Sequence, residues 1–96
     1  MRVVFKLGDP LWRKVGSRRV ELELGEGKYT VGQALARLAE MYPEAGADIL
    51  HDGRSVQERL PYHLFVNHRK IPWSEVDQIP LVDGDQLSLF LIVIGG

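Results

Sequence analysis

The sequence predicts an α+β fold in which one main helix lies across one face of a mixed sheet of four to five strands. Three observations predict this fold: two alternating apolar segments near the N-terminus, one helical stripe with a capping signal, and further short strand-like segments toward the C-terminus. We expect residues 1–96 to form a single domain, because 96 residues lie near the lower end of the usual domain size of ~100–150.

The first two strands are predicted from period-two alternation. Residues 2–7 carry apolar side chains at the odd positions 3, 5 and 7, and residues 19–24 carry them at the even positions. The connection begins with the break at Gly8-Asp9-Pro10, contains Leu11 and Trp12, and turns at Gly16-Ser17. The two segments therefore predict a hairpin with a long loop.

The main helix is predicted to begin at Thr30. Gln33 follows three residues later, as in a capping box, and Pro43 is expected to end the helix because proline disfavours helical geometry in the residue before it. Apolar side chains recur at helical spacing at Val31, Leu35, Leu38 and Tyr42. About three turns of helix should therefore pack on the sheet.

The second half of the chain is predicted to complete the sheet. We interpret residues 44–59 as an irregular crossover with a short helical turn at 45–50, and residues 62–67 as the third strand. Residues 71–73 form at most a short edge strand, because Pro72 cannot donate to a ladder. After a turn at 83–85, the last strand runs from Gln86 to about Leu91.

The order of these elements identifies the arrangement. A helix between two hairpins is the crossover that lets the last strand run parallel to the first. This order, β-β-α-β-(β)-β, is the β-grasp or ubiquitin-like arrangement.

Composition excludes several function classes. The formal net charge of −1 gives no bulk attraction to nucleic acid or to a membrane surface, and no cysteine is present to form a disulfide, a thiolate metal site or a nucleophile. No apolar run reaches the ~18 residues of a membrane span, and the N-terminus does not resemble a secretory signal. We therefore expect a cytoplasmic protein with no membrane or nucleic-acid partner.

Other candidate sites are weak. His51, His63 and His68 have no metal-ligand spacing, so no metal is expected, and no glycine-rich phosphate loop predicts ATP binding by the chain alone. A basic cluster surrounds Trp12, but acidic residues follow it directly, which favours a solvated hairpin face over a nucleic-acid surface. The cluster consists of Arg13, Lys14, Arg18 and Arg19, and the acidic residues are Glu21, Glu23 and Glu26.

The most informative residues are Gly95 and Gly96. A Gly-Gly end can enter a narrow channel, and its α-carboxylate, ionised at neutral pH, can attack the α-phosphate of ATP to give an acyl-adenylate that accepts sulfur or an amine. The alternative is a frayed terminus or a truncation scar. The preceding segment 91–94 is apolar and β-prone, which is easier to explain if part of it docks into a partner. We expect a flexible tail of about residues 92–96.

The chain resembles the family of the molybdopterin synthase small subunit and the thiamine sulfur carrier, which are ubiquitin-like sulfur carriers. The resemblance covers nearly the whole chain. It is carried by Pro10-Leu11 with Gly16, Thr30-Val31-Gly32, Leu38 to Pro43, Phe65-Val66-Asn67, Pro80-Leu81, Asp83-Gly84-Asp85 and Gly95-Gly96.

The resemblance implies a carrier that is not an enzyme on its own and binds no cofactor. An adenylating enzyme of the ubiquitin-activating type would use ATP in trans to activate Gly96, and a sulfur donor would convert the activated end to a thiocarboxylate. Gly95, which has no side chain, would let the tail enter a narrow channel of the partner. The large subunit of molybdopterin synthase would then accept the sulfur for molybdenum cofactor biosynthesis. Partner-binding residues implied by the same resemblance and by the apolar tail are Phe90, Leu91, Ile92, Val93 and Ile94.

Three alternatives stay open. The carrier could serve another pathway, such as thiamine, tRNA thiolation or cysteine, because residues 91–94 stand where the family often has prolines and a small residue. The chain could instead be a protein modifier whose Gly96 is joined to lysines of other proteins. It could also be a plain β-grasp interaction domain with an inert tail.

Overall fold

A mixed five-stranded sheet forms the centre of the fold, in the order β2-β1-β7-β5-β6. The computed structural model describes residues 1–9, 11–51, 55–56 and 62–91. The strands are β1 (Arg2–Leu7), β2 (Arg19–Glu23), β5 (Tyr62–Val66), β6 (Arg69–Lys70) and β7 (Gln86–Leu91), and a separate two-stranded ladder consists of β3 (Leu50–His51) and β4 (Ser55–Val56). β1 runs parallel to β7 and antiparallel to β2. The β-grasp prediction, with its parallel central pair, is confirmed.

The strands form because alternate side chains have an apolar core to enter. Val3, Phe5 and Leu7 of β1 are buried, as predicted from the odd positions of that segment. The inward residues of β2, β5 and β7 join them in one core cluster. The even positions of β7 instead face away from this core, which places the open face of the sheet on the other side.

Helix α2 (Val31–Met41) covers the core face and begins with the predicted capping box. The Gln33 backbone N–H donates to Thr30 Oγ1 at 3.3 Å, and the Thr30 N–H donates to Gln33 Oε1 at 2.8 Å. Its buried residues are Val31, Gly32, Ala34, Leu35, Leu38 and Ala39. Eleven residues give about three turns, as predicted.

Residues 73–79, which precede β7, form hydrogen bonds with the first amides of α2. The Val31 N–H donates to the Ile79 carbonyl at 3.0 Å, and the Gly32 N–H donates to the Val76 carbonyl at 2.9 Å. These bonds satisfy amides that a helix N-terminus otherwise leaves without partners. The segment includes a 3₁₀ helix, Trp73–Glu75.

The prediction of an edge strand at residues 71–73 is wrong. Pro72 lies at the cap of the 3₁₀ helix, and the edge strand is β6, two residues earlier. Its outer position in the sheet lets β6 be only two residues long, since it pairs with β5 alone. A two-residue strand carries no alternation that a sequence pattern could reveal.

Two connections contain helices that the sequence did not predict in full. Leu11 and Trp12 belong to α1 (Leu11–Val15) rather than to an irregular loop, and Leu11 is fully buried. The expected helical turn at 45–50 is α3 (Pro43–Ile49). Pro43 ends α2 but also opens α3, because the missing proline N–H costs nothing in the first turn of a helix.

The chain beyond β7 lies outside the described residues. This excludes the predicted tail, about 92–96, from the structural description: Ile92, Val93, Ile94, Gly95 and Gly96. Pro10, in the predicted break after β1, is also outside it. Within the described ranges, no helix has the length and apolar character needed to cross a membrane.

Candidate functional site

Phe90 lies near the end of β7, on the sheet face opposite α2. Its neighbours in the strand, Leu89 and Leu87, are fully buried beneath the helix, so alternation turns Phe90 outward. The ring is 43% exposed. The sequence could not decide whether Phe90 faces the core or a partner, and the structure excludes it from the core.

Aromatic side chains of β5 flank Phe90. Phe65 meets it edge to face, with 6.2 Å between ring centroids, and the imidazole of His63 lies 6.4 Å from the Phe65 ring. The antiparallel register pairs His63 with Phe90 and Phe65 with Ser88. The three rings are therefore cross-strand neighbours, an arrangement that stabilises a sheet face and fixes ring orientation.

Gly8 makes room for Phe90. Its N–H donates to the Leu89 carbonyl at 2.9 Å, and a Cβ at this position would lie 3.0 Å from Phe90 Cδ1 and 3.4 Å from the Leu89 oxygen. The sequence indicated Gly8 only as a strand breaker. In the structure it also lets the end of β1 approach β7 closely under the aromatic ring.

These residues border a shallow groove of about 330 Å³ on the open face, which we call the aromatic groove. Phe65 and Phe90 form its walls, Ser88 lies at its floor with only 4% exposure, and Lys6 stands at its rim. Within the described residues, no carboxylate pairs with the Lys6 ammonium. The groove can therefore receive apolar side chains of a partner and an acidic group beside them.

The residues around the groove are suited to binding another molecule. In the ranges that the structure covers, no three His, Cys, Asp or Glu side chains gather as metal ligands would. Its polar groups are the Ser88 hydroxyl, the Lys6 ammonium, the His68 imidazole and two side-chain amides, and among the described residues no hydrogen bond joins the imidazole to the hydroxyl, as a base activating a nucleophile would require. What the described surface can do is hold another protein.

The structure places two of the predicted partner-binding residues at the same end of the sheet. Leu91 follows Phe90 as the last residue of β7 and is 43% exposed. The other predicted site residues, 92–96, lie outside the described residues. Sequence analysis missed Lys6, His63 and Phe65, although alternation with buried Leu64 would have placed His63 and Phe65 on the open face.

The basic cluster around Trp12 forms a solvated surface, as expected. The guanidinium groups of Arg13 and Arg18 lie 5.5 Å and 4.5 Å from the centre of the indole ring. Arg13 also pairs with Asp9 at 3.0 Å, and Arg19 pairs with Glu21 at 3.2 Å. These contacts pair several of the exposed cations with groups of the same chain.

Comparison of this fold with solved structures gives full-length similarities. SAMP1 from Haloferax volcanii has a TM-score of 0.80 and 26% identity, with 100% of each chain covered. A putative molybdopterin converting factor, subunit 1, from Pyrococcus furiosus has a TM-score of 0.74 and 22% identity over 97% of this chain and 99% of that one. A chain of the BexX/CysO complex of Amycolatopsis orientalis has a TM-score of 0.70 and 19% identity, with 98% of this chain and 99% of that one covered.

Sequence comparison identifies the family. A search of curated proteins finds no match. The model of the ThiS family, however, matches residues 9–96, which is most of the chain and includes both C-terminal glycines. The sequence resemblance noted above is thereby confirmed. The chain belongs to the ThiS family and is one of the small ubiquitin-like sulfur carriers and modifiers.

Proposed function

We propose that this protein carries sulfur on Gly96 and delivers it in molybdenum cofactor biosynthesis, as the small subunit of a molybdopterin synthase. The observation that supports this most directly is the ThiS-family match, which extends through Gly95 and Gly96 on a β-grasp body. The proposal takes Gly96 as the C-terminal residue of the working protein. Small carriers of this kind are typically not catalysts, so the reactions belong to partner enzymes.

The chemistry needs two steps. A carboxylate oxygen of Gly96 attacks the α-phosphorus of ATP, pyrophosphate leaves, and an acyl-adenylate forms. A sulfur donor at the oxidation level of sulfide then attacks the carbonyl carbon, AMP leaves with the former carboxylate oxygen, and a proton is released from the sulfur. The product is a thiocarboxylate, whose sulfur the large subunit would transfer to a pterin precursor.

The structure supports the tail as the part that enters a partner. β7 ends at Leu91, and residues 93–96 can extend by roughly 13 Å. Two glycines without Cβ atoms at the end of such a segment suit a narrow channel. The aromatic groove runs along β7 from Gln86 to Phe90, one residue before Leu91, so a partner that binds the groove can also reach the tail. The cytoplasm stays the predicted location.

Intact-mass spectrometry tests the proposal. The chain is incubated with its adenylating enzyme, ATP and a sulfide source, and we expect its mass to rise by the difference between sulfur and oxygen. Omission of ATP and deletion of Gly96 are the controls, and both should abolish the change. Deletion should leave the melting temperature unchanged, because a chain end contributes little packing.

Two results would contradict the proposal. One is an unchanged mass with an activating enzyme that is shown to adenylate the chain. The other is a native protein that continues past Gly96 and is never trimmed. If deletion of Gly95-Gly96 has no effect on cofactor-dependent growth, the alternative of an inert tail is favoured instead.

A second candidate function is protein modification. SAMP1, a small archaeal modifier protein, matches this chain over its full length at 26% identity. In this case an amine of a target lysine, rather than sulfide, attacks the acyl-adenylate and gives an isopeptide bond. Activation of Gly96 is common to both functions, so only the fate of the acyl group separates them.

An Ile94→Arg variant makes the second candidate testable. No lysine or arginine follows Lys70, so trypsin would leave a long remnant on a modified lysine. Arginine at position 94 lets trypsin leave Gly-Gly, which mass spectrometry detects. Remnants in cells that express this variant, and none with the variant that also lacks Gly96, would establish modification. Ile94 is itself a predicted partner-binding residue, so the variant must first be shown to be adenylated. If it is adenylated and leaves no remnants, only the carrier function stays.

A further inference from the structure

We propose that a groove on the α2 side of the hairpin formed by β5 and β6 binds an acidic segment of another protein, together with an apolar side chain of that segment. We call it the hairpin groove. Its volume is about 520 Å³, and its described lining consists of Val66, Asn67, His68, Arg69, Ile71 and Ile79. The proposal concerns a surface other than the aromatic groove and is independent of the tail chemistry above.

The pairing of β5 with β6 decides which side chains reach this groove. Val66 follows the buried Leu64 by two residues, so it points to the α2 side of the sheet, and Arg69 lies directly opposite Val66 in the register. Lys70 lies opposite Phe65 and therefore points to the open face. The two cations of this short strand thus belong to different faces, and Arg69 is the one at the hairpin groove.

The floor of the hairpin groove is apolar. Val66 and Ile79 are partly buried and pack against the core, and Ile71 is only 7% exposed. Among the described lining residues, no phenyl, phenol or indole ring offers the flat platform on which the bases of a nucleic acid would stack. An aliphatic side chain of a protein fits such a floor better, because it removes apolar surface from water on both sides of the contact.

The charge at the groove selects an acidic partner. Within the part of the chain that the structure describes, no carboxylate lines the groove, and the Arg69 guanidinium pairs with none. Four other exposed arginines each pair with a carboxylate at 3.0–3.7 Å: Arg2, Arg13, Arg19 and Arg37. The sequence between residues 62 and 73 has no aspartate or glutamate. A carboxylate of a partner would therefore give Arg69 the charged contact that it does not make within this chain.

Hydrogen bonds from β7 fix the turn that forms one wall of the groove. The Asn67 N–H donates to the Gln86 carbonyl at 2.6 Å, and its side chain donates to Asp85 and accepts from the Gln86 N–H, both at 3.1 Å. The second carboxylate oxygen of Asp85 accepts from the Val82 N–H at 2.8 Å, so this acid is engaged away from Arg69. A groove with a fixed wall requires little ordering when a partner binds.

The location of the hairpin groove leaves the tail accessible. The turn at Asn67 bonds to Gln86, the first residue of β7, whereas the tail follows Leu91, the last residue of that strand. The length of β7 separates these two ends by about 17 Å. A protein bound at the hairpin groove could thus hold the carrier while an enzyme encloses its tail.

An NMR titration of the full chain tests this inference with two capped octapeptides as probes. One probe alternates leucine with glutamate, and the other alternates leucine with lysine. We expect the acidic probe to shift the amide signals of Arg69, Ile71 and Ile79 in a saturable way, and the basic probe to leave them in place. Arg69→Glu should weaken binding of the acidic probe by about fivefold or more, because it replaces an attractive charge with a repulsive one.

Matched variants separate the contact from net charge and from folding. Lys28→Glu makes the same change of charge outside the groove lining and should bind like the parent, and Arg69→Lys, which keeps the cation, should bind more tightly than Arg69→Glu. Arg69 is exposed, so its substitution should leave the melting temperature almost unchanged. A chain without Gly95-Gly96 should bind unchanged, so failure of the sulfur-carrier proposal would leave this result untouched.

Several results would overturn the inference. They are the absence of a saturable shift, equal weakening by Lys28→Glu and Arg69→Glu, and shifts confined to the aromatic groove. Shifts of the same three signals on concentrating the chain without a probe would also overturn it, because they would assign the hairpin groove to a second copy of this chain.

Discussion

The same substitution, glycine to alanine, should lower the stability of this protein at one helical position and leave it almost unchanged at another. Gly46 lies in the middle of α3, where its N–H donates to the Tyr42 carbonyl at 2.8 Å. Alanine is favoured over glycine inside a helix by about 0.8–1.0 kcal/mol, so helix propensity alone predicts that Gly46→Ala stabilises the fold. The packing of α3 on α2 predicts the reverse.

The magnitude follows from the contact between the helices. A Cβ at position 46 would lie 2.7 Å from the Ala39 carbonyl oxygen and 3.0 Å from the Ala39 Cβ. Carbon–oxygen contacts normally lie at about 3.3–3.6 Å, so α3 must move outward by about 0.6 Å. Such overpacking costs about 1–3 kcal/mol. Because backbone atoms of α2 cannot turn aside, we expect a cost in the upper part of that range, about 2–3 kcal/mol, and therefore a net loss of about 1–2 kcal/mol after the propensity gain.

Gly32→Ala is the matched comparison. A Cβ there would collide with the Asp77 carboxylate, but that side chain is exposed and can rotate away, and the next atom, Val76 Cγ2, lies at an ordinary 3.5 Å. Its free energy of unfolding should therefore stay within about 0.5 kcal/mol of the parent value.

Thermal and urea unfolding, followed by circular dichroism, measure both variants. For a domain of this size, 1 kcal/mol corresponds to about 4–8 °C, so Gly46→Ala should lower the melting temperature by at least that amount. A Gly46→Ala variant as stable as the parent, or more stable, would refute the reasoning. Equal losses at positions 46 and 32 would also refute it, because the argument depends on which atoms can move.

Three further substitutions test the cap, the turn and the open face. Thr30→Ala should cost about 1 kcal/mol in urea unfolding, because it removes the acceptor of the Gln33 amide. Asn67→Ala should cost about 2–3 kcal/mol, because Asn67 has a φ of 58° and its side chain donates to Asp85 at 3.1 Å and accepts from the Gln86 N–H at 3.1 Å. Asn67→Gly should recover only the part of this loss that comes from the positive φ, because glycine also lacks the side-chain hydrogen bonds. Phe90→Ala should cost about 1 kcal/mol of stability, well below the ~3–5 kcal/mol lost at a core phenylalanine, because Phe90 is exposed. The same variant should bind the large subunit more weakly in a calorimetric titration.

Local patterns predicted those elements whose side chains repeat with a period. β1 and β7 have the predicted bounds because five or six alternating residues leave no other face to bury. The start of α2 was predicted because Thr30 and Gln33 satisfy helix amides by themselves. β6, with two residues, and α1, with five residues of helix, carry too few repeats of their own period to be recognised, and α3 was predicted only as a helical turn.

The site divides in the same way. The role of Gly95 and Gly96 stays a prediction, which the sequence allows because it depends on the absence of side chains and on a terminal carboxylate, properties of the residues themselves. The aromatic groove could not, because Lys6, Phe65 and Phe90 come from three strands that are neighbours only in the folded sheet. The close contact between Gly8 and the Phe90 ring could not be predicted either, because it exists only when β1 and β7 lie side by side.

The amino-acid sequence by itself determined the β-grasp order of elements, the inward face of each long strand and the helix start, because these depend on side-chain periodicity and on bonds between residues close in the chain. Only the tertiary structure decided that Phe90 faces outward, that α3 must have glycine against α2, and that Arg69 lies at an apolar groove. Each of these depends on which strand or helix lies next to another. That choice is made by the packing of the whole core, and no short stretch of sequence contains it.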